Sequence, residues 1–175
     1  MVARLHPIKN HKEVILAFKK LILEFHDIRL LLVGDGELQS ELEKLIVELN
    51  LGNQVIMTGK VSNPIDYINA SNVSVLASLS EGGAPPLTVL ESGIVSKSVI
   101  YTEVGDLQNI LDENSGYKVK DQSNENIYKA MKTAYLDKDN LNIKGNNLYN
   151  IVVNNFSMEK FWENYYKIYK NIMKK

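Results

Sequence analysis

The fold of this chain is decided by residues 78–93, whose sequence is SLSEGGAPPLTVLESG. An apolar run at 73–77 precedes this stretch and predicts a buried strand. Small, flexible residues follow, so the backbone can approach a ligand closely, and Pro86 suits the first position of a helix. The N–H groups at the start of such a helix favour an anion. The stretch therefore predicts a strand, a ligand-binding turn and a helix.

Two glutamates bracket this turn, Glu81 in the predicted loop and Glu91 inside the predicted helix. A loop carboxylate does not attract a phosphate, but it accepts hydrogen bonds from sugar hydroxyls. The two carboxylates could act as a general acid and base, or each could be an ordinary solvated side chain. Because both border a helix start that favours anions, we expect a ligand that carries both phosphate and hydroxyl groups.

Length and charge limit the classes of protein to consider. The 175 residues suffice for one domain with a full core, and we expect a single domain over 1–175. A formal net charge of −1 gives no overall attraction to nucleic acid or to an anionic membrane. The chain has no cysteine, which excludes disulfides and thiolate metal sites and favours a reducing, cytoplasmic location. No apolar run approaches the roughly 20 residues of a membrane-spanning helix.

Predicted strands and helices alternate six times, with short turns between them. We expect strands at 1–5, 28–33, 55–58, 73–77, 98–102 and 116–119, and helices at 11–25, 38–49, 64–70, 86–93, 125–136, 141–155 and 158–173. This order predicts an α/β fold with a doubly wound, Rossmann-like parallel sheet and a helical C-terminus. Ligands of such sheets bind beyond the carboxyl ends of the strands.

Other strand ends carry candidate ligand-binding residues. Arg4 and Lys9 flank a proline-containing loop, where they could be separate surface cations or a pair that neutralises a diphosphate without a metal. The turn 34–36, Gly-Asp-Gly, resembles the start of a dinucleotide fingerprint. Gln39 stands where that fingerprint requires its third glycine, so a tight turn is favoured over NAD binding.

The histidines and the last helix carry weaker signals. His6, His11 and His26 lack metal-ligand spacing, so we expect surface histidines, no metal and no cofactor. The predicted helix at 158–173 has a stripe of large side chains, namely Phe161, Trp162, Tyr165, Tyr166, Ile168 and Tyr169. We expect this stripe to pack in the core, with a docking surface for a further domain as the alternative. The sequence shows no basic face interleaved with aromatic residues, so it gives no indication of a nucleic-acid site.

A set of segments, in this order, resembles the carboxyl-terminal domain of retaining GT-B glycosyltransferases of the glycosyl transferases group 1 type. The segments are VARLHPIK at 2–9, LLVGDG at 31–36, VIMTG at 55–59, VSVLAS at 73–78, SEG at 80–82 and LE at 90–91. The resemblance implies the donor-binding half of a two-domain enzyme. Such an enzyme transfers a sugar from a nucleoside diphosphate sugar, here expected to be a UDP-sugar, to an acceptor hydroxyl with retention. Bacterial polysaccharide biosynthesis is the expected setting.

The resemblance also implies a role for each matching residue. Arg4 and Lys9 match the two cations that bind the diphosphate, and Glu81 matches the glutamate that contacts the donor sugar, so these three are the candidate catalytic residues. Glu91 matches the glutamate that binds the ribose hydroxyls. The donor-binding candidates are Gly34, Gly36, Gly59, Lys60, Val61, Gly82, Gly83, Leu87, Thr88 and Glu91.

The sequence departs from the family pattern around the same loop. Nine residues separate Glu81 from Glu91, where the family usually has seven, and Pro85 and Pro86 remove two backbone donors. Ala3 stands where the family commonly has glycine.

We expect the acceptor domain to lie outside this chain, as a missing amino-terminal domain or a partner chain. Any peripheral contact with a membrane would come from that half. The isolated donor half should then transfer little sugar. Two alternatives are a non-catalytic or split-subunit nucleotide-sugar-binding module that needs a partner chain, and a sugar-nucleotide epimerase, which would require a further acid/base array.

Overall fold

The structure is a computed structural model that describes residues 1–82 and 85–173. Its strands are β1 (Leu30–Leu32), β2 (Val55–Met57), β3 (Ser74–Leu76), β4 (Val99–Thr102) and β5 (Gly116–Val119). Its α-helices are α1 (His11–Ile22), α2 (Gln39–Glu48), α3 (Pro64–Ala70), α4 (Leu87–Ile94), α5 (Asn124–Leu136), α6 (Leu141–Phe156) and α7 (Met158–Ile172). Short 3₁₀ turns lie at Pro7–Lys9, Gly105–Asn109 and Lys138–Asn140. Strands and helices therefore alternate as predicted.

The strands pair in parallel, but they form two hydrogen-bonded sheets instead of one. Strand β1 pairs with β2, and β3, β4 and β5 form a second sheet in that order. The register is shown by Leu31 opposite Ile56 in the first sheet and by Ile100 between Val75 and Tyr117 in the second. The expected single six-stranded sheet is therefore corrected to a two-stranded and a three-stranded sheet.

The predicted strand at 1–5 is reduced to one isolated bridge, between Val2 and Val33. Ala3 N donates to Val33 O at 3.0 Å, so this segment begins alongside β1. His6 N then donates to Arg4 O at 2.8 Å, which turns the chain before a full ladder can form. The segment still extends the first sheet by one strand position.

Helices cover both faces of the three-stranded sheet, as a doubly wound fold requires. Val75 and Ile100 face one core cluster, in which α1 packs against α5. Leu76 and Val99 alternate with them and face the opposite cluster, in which α4 packs against α6. The side-chain alternation of the strands therefore places apolar residues on both faces, and the predicted α/β fold class is confirmed.

Helix boundaries differ from the predictions by up to three residues. Pro86 lies one residue before α4 instead of at its first position, because its ψ of 129° is outside the helical region. Helix α1 ends at Ile22 instead of residue 25.

The expectation that the aromatic stripe of α7 packs in the core is wrong. The side chains of the stripe are all exposed, with Trp162 at 64% and Tyr166 at 65%. Helix α6 already covers the α4 side of the three-stranded sheet, where it buries Gly145, Leu148 and Val152. Helix α7 follows α6 directly after Ser157, and none of its residues is buried. Among the described residues, no helix combines the length and the apolar character that a bilayer-spanning segment needs.

Candidate active site

The two loops that follow the first segment and β3 bring a cation and a carboxylate together. Lys9 Nζ lies 2.5 Å from Glu81 Oε1, although 72 positions separate the two residues in sequence. Ser78 Oγ donates to the same carboxylate oxygen at 2.6 Å. The side chains of Lys9 and Glu81 are only 24% and 12% exposed, so the ion pair is largely shielded from water. We call Lys9, Ser78 and Glu81 the loop cluster.

The local sequence explains how the loop 6–10 presents Lys9. A 3₁₀ turn over Pro7–Lys9 begins with His6 Nδ1 accepting from Ile8 N at 3.2 Å. It ends at Asn10, which adopts a left-handed φ of 63°, a conformation that asparagine tolerates better than most residues. Asn10 Nδ2 then donates to Gln122 O at 2.9 Å, which anchors the end of the turn.

The loop after β3 is anchored by a hydrogen bond from the end of β4. Thr102 Oγ1 donates to the Ser78 carbonyl at 2.7 Å, and both residues are fully or almost fully buried. Gly105 has a φ of +59°, and a Cβ atom there would lie 2.9 Å from Gly82 O. This support fixes the backbone from which Glu81 projects. The sequence prediction missed Ser78 and Thr102 as site residues, although both are small polar residues at the predicted carboxyl ends of strands.

The turn at 34–36 packs directly on the first segment. A Cβ atom on Gly34, whose φ is +136°, would lie 2.2 Å from Ala3 O, and one on Gly36 would lie 2.4 Å from Leu5 O. Gly34 N also donates to Gly59 O at 3.1 Å. The structure therefore places Gly34 and Gly36, in a tight strand-to-helix turn, against the backbone on either side of Arg4, and Gly59 bonds to that turn.

The start of α4 joins the same edge of the molecule. Thr88 Oγ1 donates to Val2 O at 3.1 Å, which holds the first turn of α4 against the first segment. No side chain among the described residues caps the first turn of α4. Leu87 is exposed and Glu91 lies about one turn further along, partly buried.

The remaining candidates share this edge without joining the loop cluster. Within the described residues, the side chains of Arg4, Lys60, Val61 and Glu91 make no hydrogen bond or ion pair to it. Arg4 and Lys60 are exposed, as is Gly82 in the loop. The candidate Gly83 lies outside the described residues.

His11 is buried, which corrects the expectation of a surface histidine. Its exposed fraction is 1%, and neither ring nitrogen has a hydrogen-bond partner among the described residues. Burial lowers the pKa of His11 to about 4, and the charge of Lys9 acts in the same direction. The missed signal was spacing, because His11, Val14, Ile15 and Phe18 share the buried face of α1.

A second concave region lies beside the edge strand β5 and contains none of the candidate site residues. It is lined by Tyr101, Asp112, Tyr117, Asp137 and Lys144, among others. Burial raises the pKa of Tyr101 to about 12, and burial together with the hydrogen bond to Asp137 raises the pKa of Tyr117. In the described ranges, no three His, Asp or Glu residues are grouped as a metal site would require.

Comparison with known proteins decides the family. The family model described as glycosyl transferases group 1 matches residues 1–155. The chain belongs to this family. A relative from Campylobacter jejuni, N-acetylgalactosamine-N,N'-diacetylbacillosaminyl-diphospho-undecaprenol 4-alpha-N-acetylgalactosaminyltransferase, is 32% identical over 138 residues. That match covers 78% of this chain and 36% of the relative.

Solved glycosyltransferase structures share the fold of this family member. The Anabaena protein HepE in complex with UDP superposes with a TM-score of 0.85 at 18% identity, over 97% of this chain and 47% of that one. The C-terminal domain of a glycosyl transferase group 1 protein from Francisella tularensis superposes with a TM-score of 0.79 at 23% identity, over 90% of this chain and 85% of that one. The predicted GT-B fold is thereby confirmed.

This family member matches only part of its relatives. The chain spans from 25% to 46% of the length of the curated relatives it matches.

Proposed function

We propose that residues 1–175 form the donor-binding half of a retaining glycosyltransferase that uses a UDP-sugar. The observation that carries this proposal is the loop cluster. It places a lysine and a carboxylate within 2.5 Å of each other at the carboxyl ends of the strands, where α/β sheets bind ligands. A nucleoside diphosphate sugar needs a cation for its phosphates and an acceptor for its hydroxyls, and the loop cluster offers both.

In this mechanism the protein stabilises the leaving group electrostatically. Arg4 and Lys9 balance the negative charge that develops on the departing diphosphate, which replaces the role of a metal ion. In this proposal the first N–H groups of α4, at Leu87 and Thr88, donate to the same diphosphate. Glu81 orients the sugar by accepting hydrogen bonds from its hydroxyls, and this half supplies no protein nucleophile.

We assign the ribose and the base of the donor to residues next to the loop cluster. Glu91 binds the ribose hydroxyls, and Gly59, Lys60 and Val61 border the base, largely through backbone groups. The turn with Gly34 and Gly36 lines the cleft at close range. The UDP bound to the Anabaena neighbour, which has the same fold, supports uracil as the base.

The acceptor half is the partner we propose for the exposed stripe of α7. Relatives are at least about twice as long as the matched region, so a second domain has the length to cover it. The stripe presents Phe161, Trp162, Tyr165 and Tyr166 to solvent, with an aromatic content typical of an interface core. The acceptor would then carry a hydroxyl on a saccharide, as the name of the Campylobacter relative indicates for that enzyme.

The two alternatives from the sequence are not favoured. Relatives from Campylobacter jejuni and Staphylococcus aureus are named as transferases, which supports sugar transfer over epimerisation and over a binding module without activity. The cysteine-free composition supports a cytoplasmic location.

Calorimetric titration with UDP, GDP and UDP-sugars tests the donor site. We expect saturable binding of UDP that Arg4→Ala and Glu91→Ala each weaken about tenfold or more, because each removes a charge-assisted contact. The matched controls are Arg29→Ala and Glu48→Ala. They change exposed residues just before β1 and at the end of α2, at the opposite edge of the sheet from the loop cluster, and should leave the affinity unchanged. Absence of binding of both UDP and the UDP-sugars at millimolar concentration, or binding that both site variants leave intact, would contradict the proposal.

The sole tryptophan of the chain, Trp162, tests the partner. Its emission should be that of a solvated indole in this chain and should shift to shorter wavelength when a tryptophan-free acceptor half is added. Trp162→Asp should abolish association of the halves. If association survives Trp162→Asp and Tyr166→Asp together, the stripe is not the interface.

A further inference from the structure

Lys9 is engaged by the protein's own side chains. Its ammonium and the Ser78 hydroxyl both bond to one oxygen of Glu81, at 2.5 and 2.6 Å. Ser78 is fully buried and its own carbonyl accepts from Thr102 at 2.7 Å, so the hydroxyl is held in place. The carboxylate is therefore fixed where it neutralises the cation that the donor phosphate needs.

Any phosphate that binds Lys9 has to displace this carboxylate. A free nucleoside diphosphate offers a phosphate to Lys9 but nothing to Glu81. The carboxylate, 12% exposed, would then be left partly buried beside a second negative charge, which is unfavourable. A complete nucleotide sugar satisfies both groups, because its phosphates bind Lys9 while its sugar hydroxyls bond to Glu81.

We propose that the Lys9–Glu81 pair selects the complete nucleotide sugar over the free nucleoside diphosphate, and that Ser78 is the positioning residue that keeps the pair formed. This inference rests on the proposed donor site and adds its selectivity. It also describes product release. Once the sugar has left, Glu81 returns to Lys9 and competes with the remaining diphosphate, so the product dissociates more readily than the donor.

Titration with UDP alone measures the competition directly. Glu81→Gln keeps the size of the side chain and removes its charge, so Lys9 is released. We expect UDP to bind about fivefold tighter to Glu81→Gln than to the natural chain, as is typical of one partly buried charge pair. UDP-N-acetylglucosamine should not gain affinity, so the preference for the sugar nucleotide over UDP should fall.

The effect of removing any nearby negative charge has to be separated from the effect of breaking the Lys9–Glu81 pair. Glu37→Gln is the matched control, because Glu37 is also a carboxylate near the turn at 34–36 but its partner is His6, at 3.6 Å, and not Lys9. It should change UDP affinity less than twofold. In a Lys9→Met background, Glu81→Gln should give a clearly smaller gain, because the group it releases is absent and only the repulsion between the carboxylate and the phosphate is relieved.

Ser78→Ala provides an independent variant that keeps both charges. It should raise UDP affinity in the same direction but by less, since the carboxylate loses its anchor and not its charge. Unchanged or weaker UDP binding by Glu81→Gln, or an equal gain in the Lys9→Met background, would overturn the inference while leaving the donor site intact. If the natural chain binds neither UDP nor UDP-N-acetylglucosamine, the proposed function and the inference both fail.

Discussion

The turn at 34–36 and the loop at 78–82 border the same candidate site but are held in different ways. The turn is fixed by backbone contact, since a Cβ atom on Gly34 would lie 2.2 Å from Ala3 O. The loop is fixed by side chains, through the bonds from Ser78 and Lys9 to Glu81. A backbone contact has one arrangement, whereas a charge pair can exchange partners. The turn therefore has a fixed backbone, whereas the carboxylate of the loop can change its partner.

The backbone-held turn should be the more sensitive of the two to mutation. Gly34→Ala forces a side chain into Ala3 O at a φ of +136°, and we expect a loss of about 3 kcal/mol or more in the free energy of unfolding. Urea denaturation measures the loss. Gly52→Ala is the matched control, because a Cβ atom there meets nothing within 4 Å, and it should stay within about 0.5 kcal/mol. Equal effects at the two glycines would show that the turn does not pack as described.

Acid should lower the free energy of unfolding through His11, the buried histidine two positions after Lys9. The pKa of His11 is about 4 in the folded chain, against 6.5 for a histidine in water, so the unfolded chain takes up the proton first. Stability is therefore fully present above pH 6.5 and falls as the pH drops towards 4. Between pH 7.5 and 5 we expect a loss of about 2 kcal/mol from this residue.

Unfolding measured at both pH values, in the natural chain and in His11→Leu, isolates this effect. The His11→Leu variant should not lose this stability between pH 7.5 and 5, because leucine takes up no proton. His26→Leu changes an exposed histidine and should lose as much stability as the natural chain. A natural chain and a His11→Leu variant with the same pH dependence would show that His11 is not buried in its neutral form.

Removing one hydroxyl should loosen the charge-held loop with only a modest effect on the fold. Ser78→Ala loses the 2.6 Å hydrogen bond to Glu81, and we expect it to cost about 1 kcal/mol of stability. Ser62→Ala changes an exposed serine and serves as the control. Thermal unfolding measures both. A loss as large as that of Gly34→Ala would remove the contrast between the two regions, because the loop would then be as rigid as the turn.

Helix α7 lies outside both regions, and its removal should affect neither. A chain that ends at residue 157 keeps α6 with its buried Leu148 and Val152, so we expect its stability to change by only about 0.5 kcal/mol. A chain that ends at residue 140 also loses α6 and should fail to fold cooperatively. Urea unfolding followed by circular dichroism compares them. A large loss in the longer truncation would mean that α7 supports the domain.

The contrast also explains how much the sequence could predict. The alternation of strands and helices follows from apolar periodicity, and the glycines at 34 and 36 mark a turn that needs positive φ. The meeting of Lys9 with Glu81 follows from the shared edge of parallel strands. The sequence does not predict that Ser78 also bonds to Glu81, because side-chain orientation decides which hydroxyl meets which carboxylate oxygen.

The sequence predicted burial correctly only for apolar faces on which another element of this chain packs. The apolar spacing of α7 indicates a face that needs a partner, but periodicity does not say which element supplies it. Because α6 already covers the sheet, the stripe stays exposed. His11 shows the reverse error, where a polar residue lies at a spacing that belongs to the buried face of α1. Residues 1–5 pair alongside β1 through one bridge only, and a short apolar run does not determine how far such pairing extends.

Nuclear magnetic resonance with ¹⁵N-labelled chain, titrated with UDP, tests the central claim most directly because it locates the ligand. We predict that backbone amide shifts will change at 4–10, 34–36, 59–61, 78–82 and 87–91, the segments that meet at the carboxyl ends of the strands. Shifts confined instead to the concave region beside β5, at Tyr101, Asp112, Tyr117 and Lys144, would contradict the claim that the loop cluster belongs to the donor site.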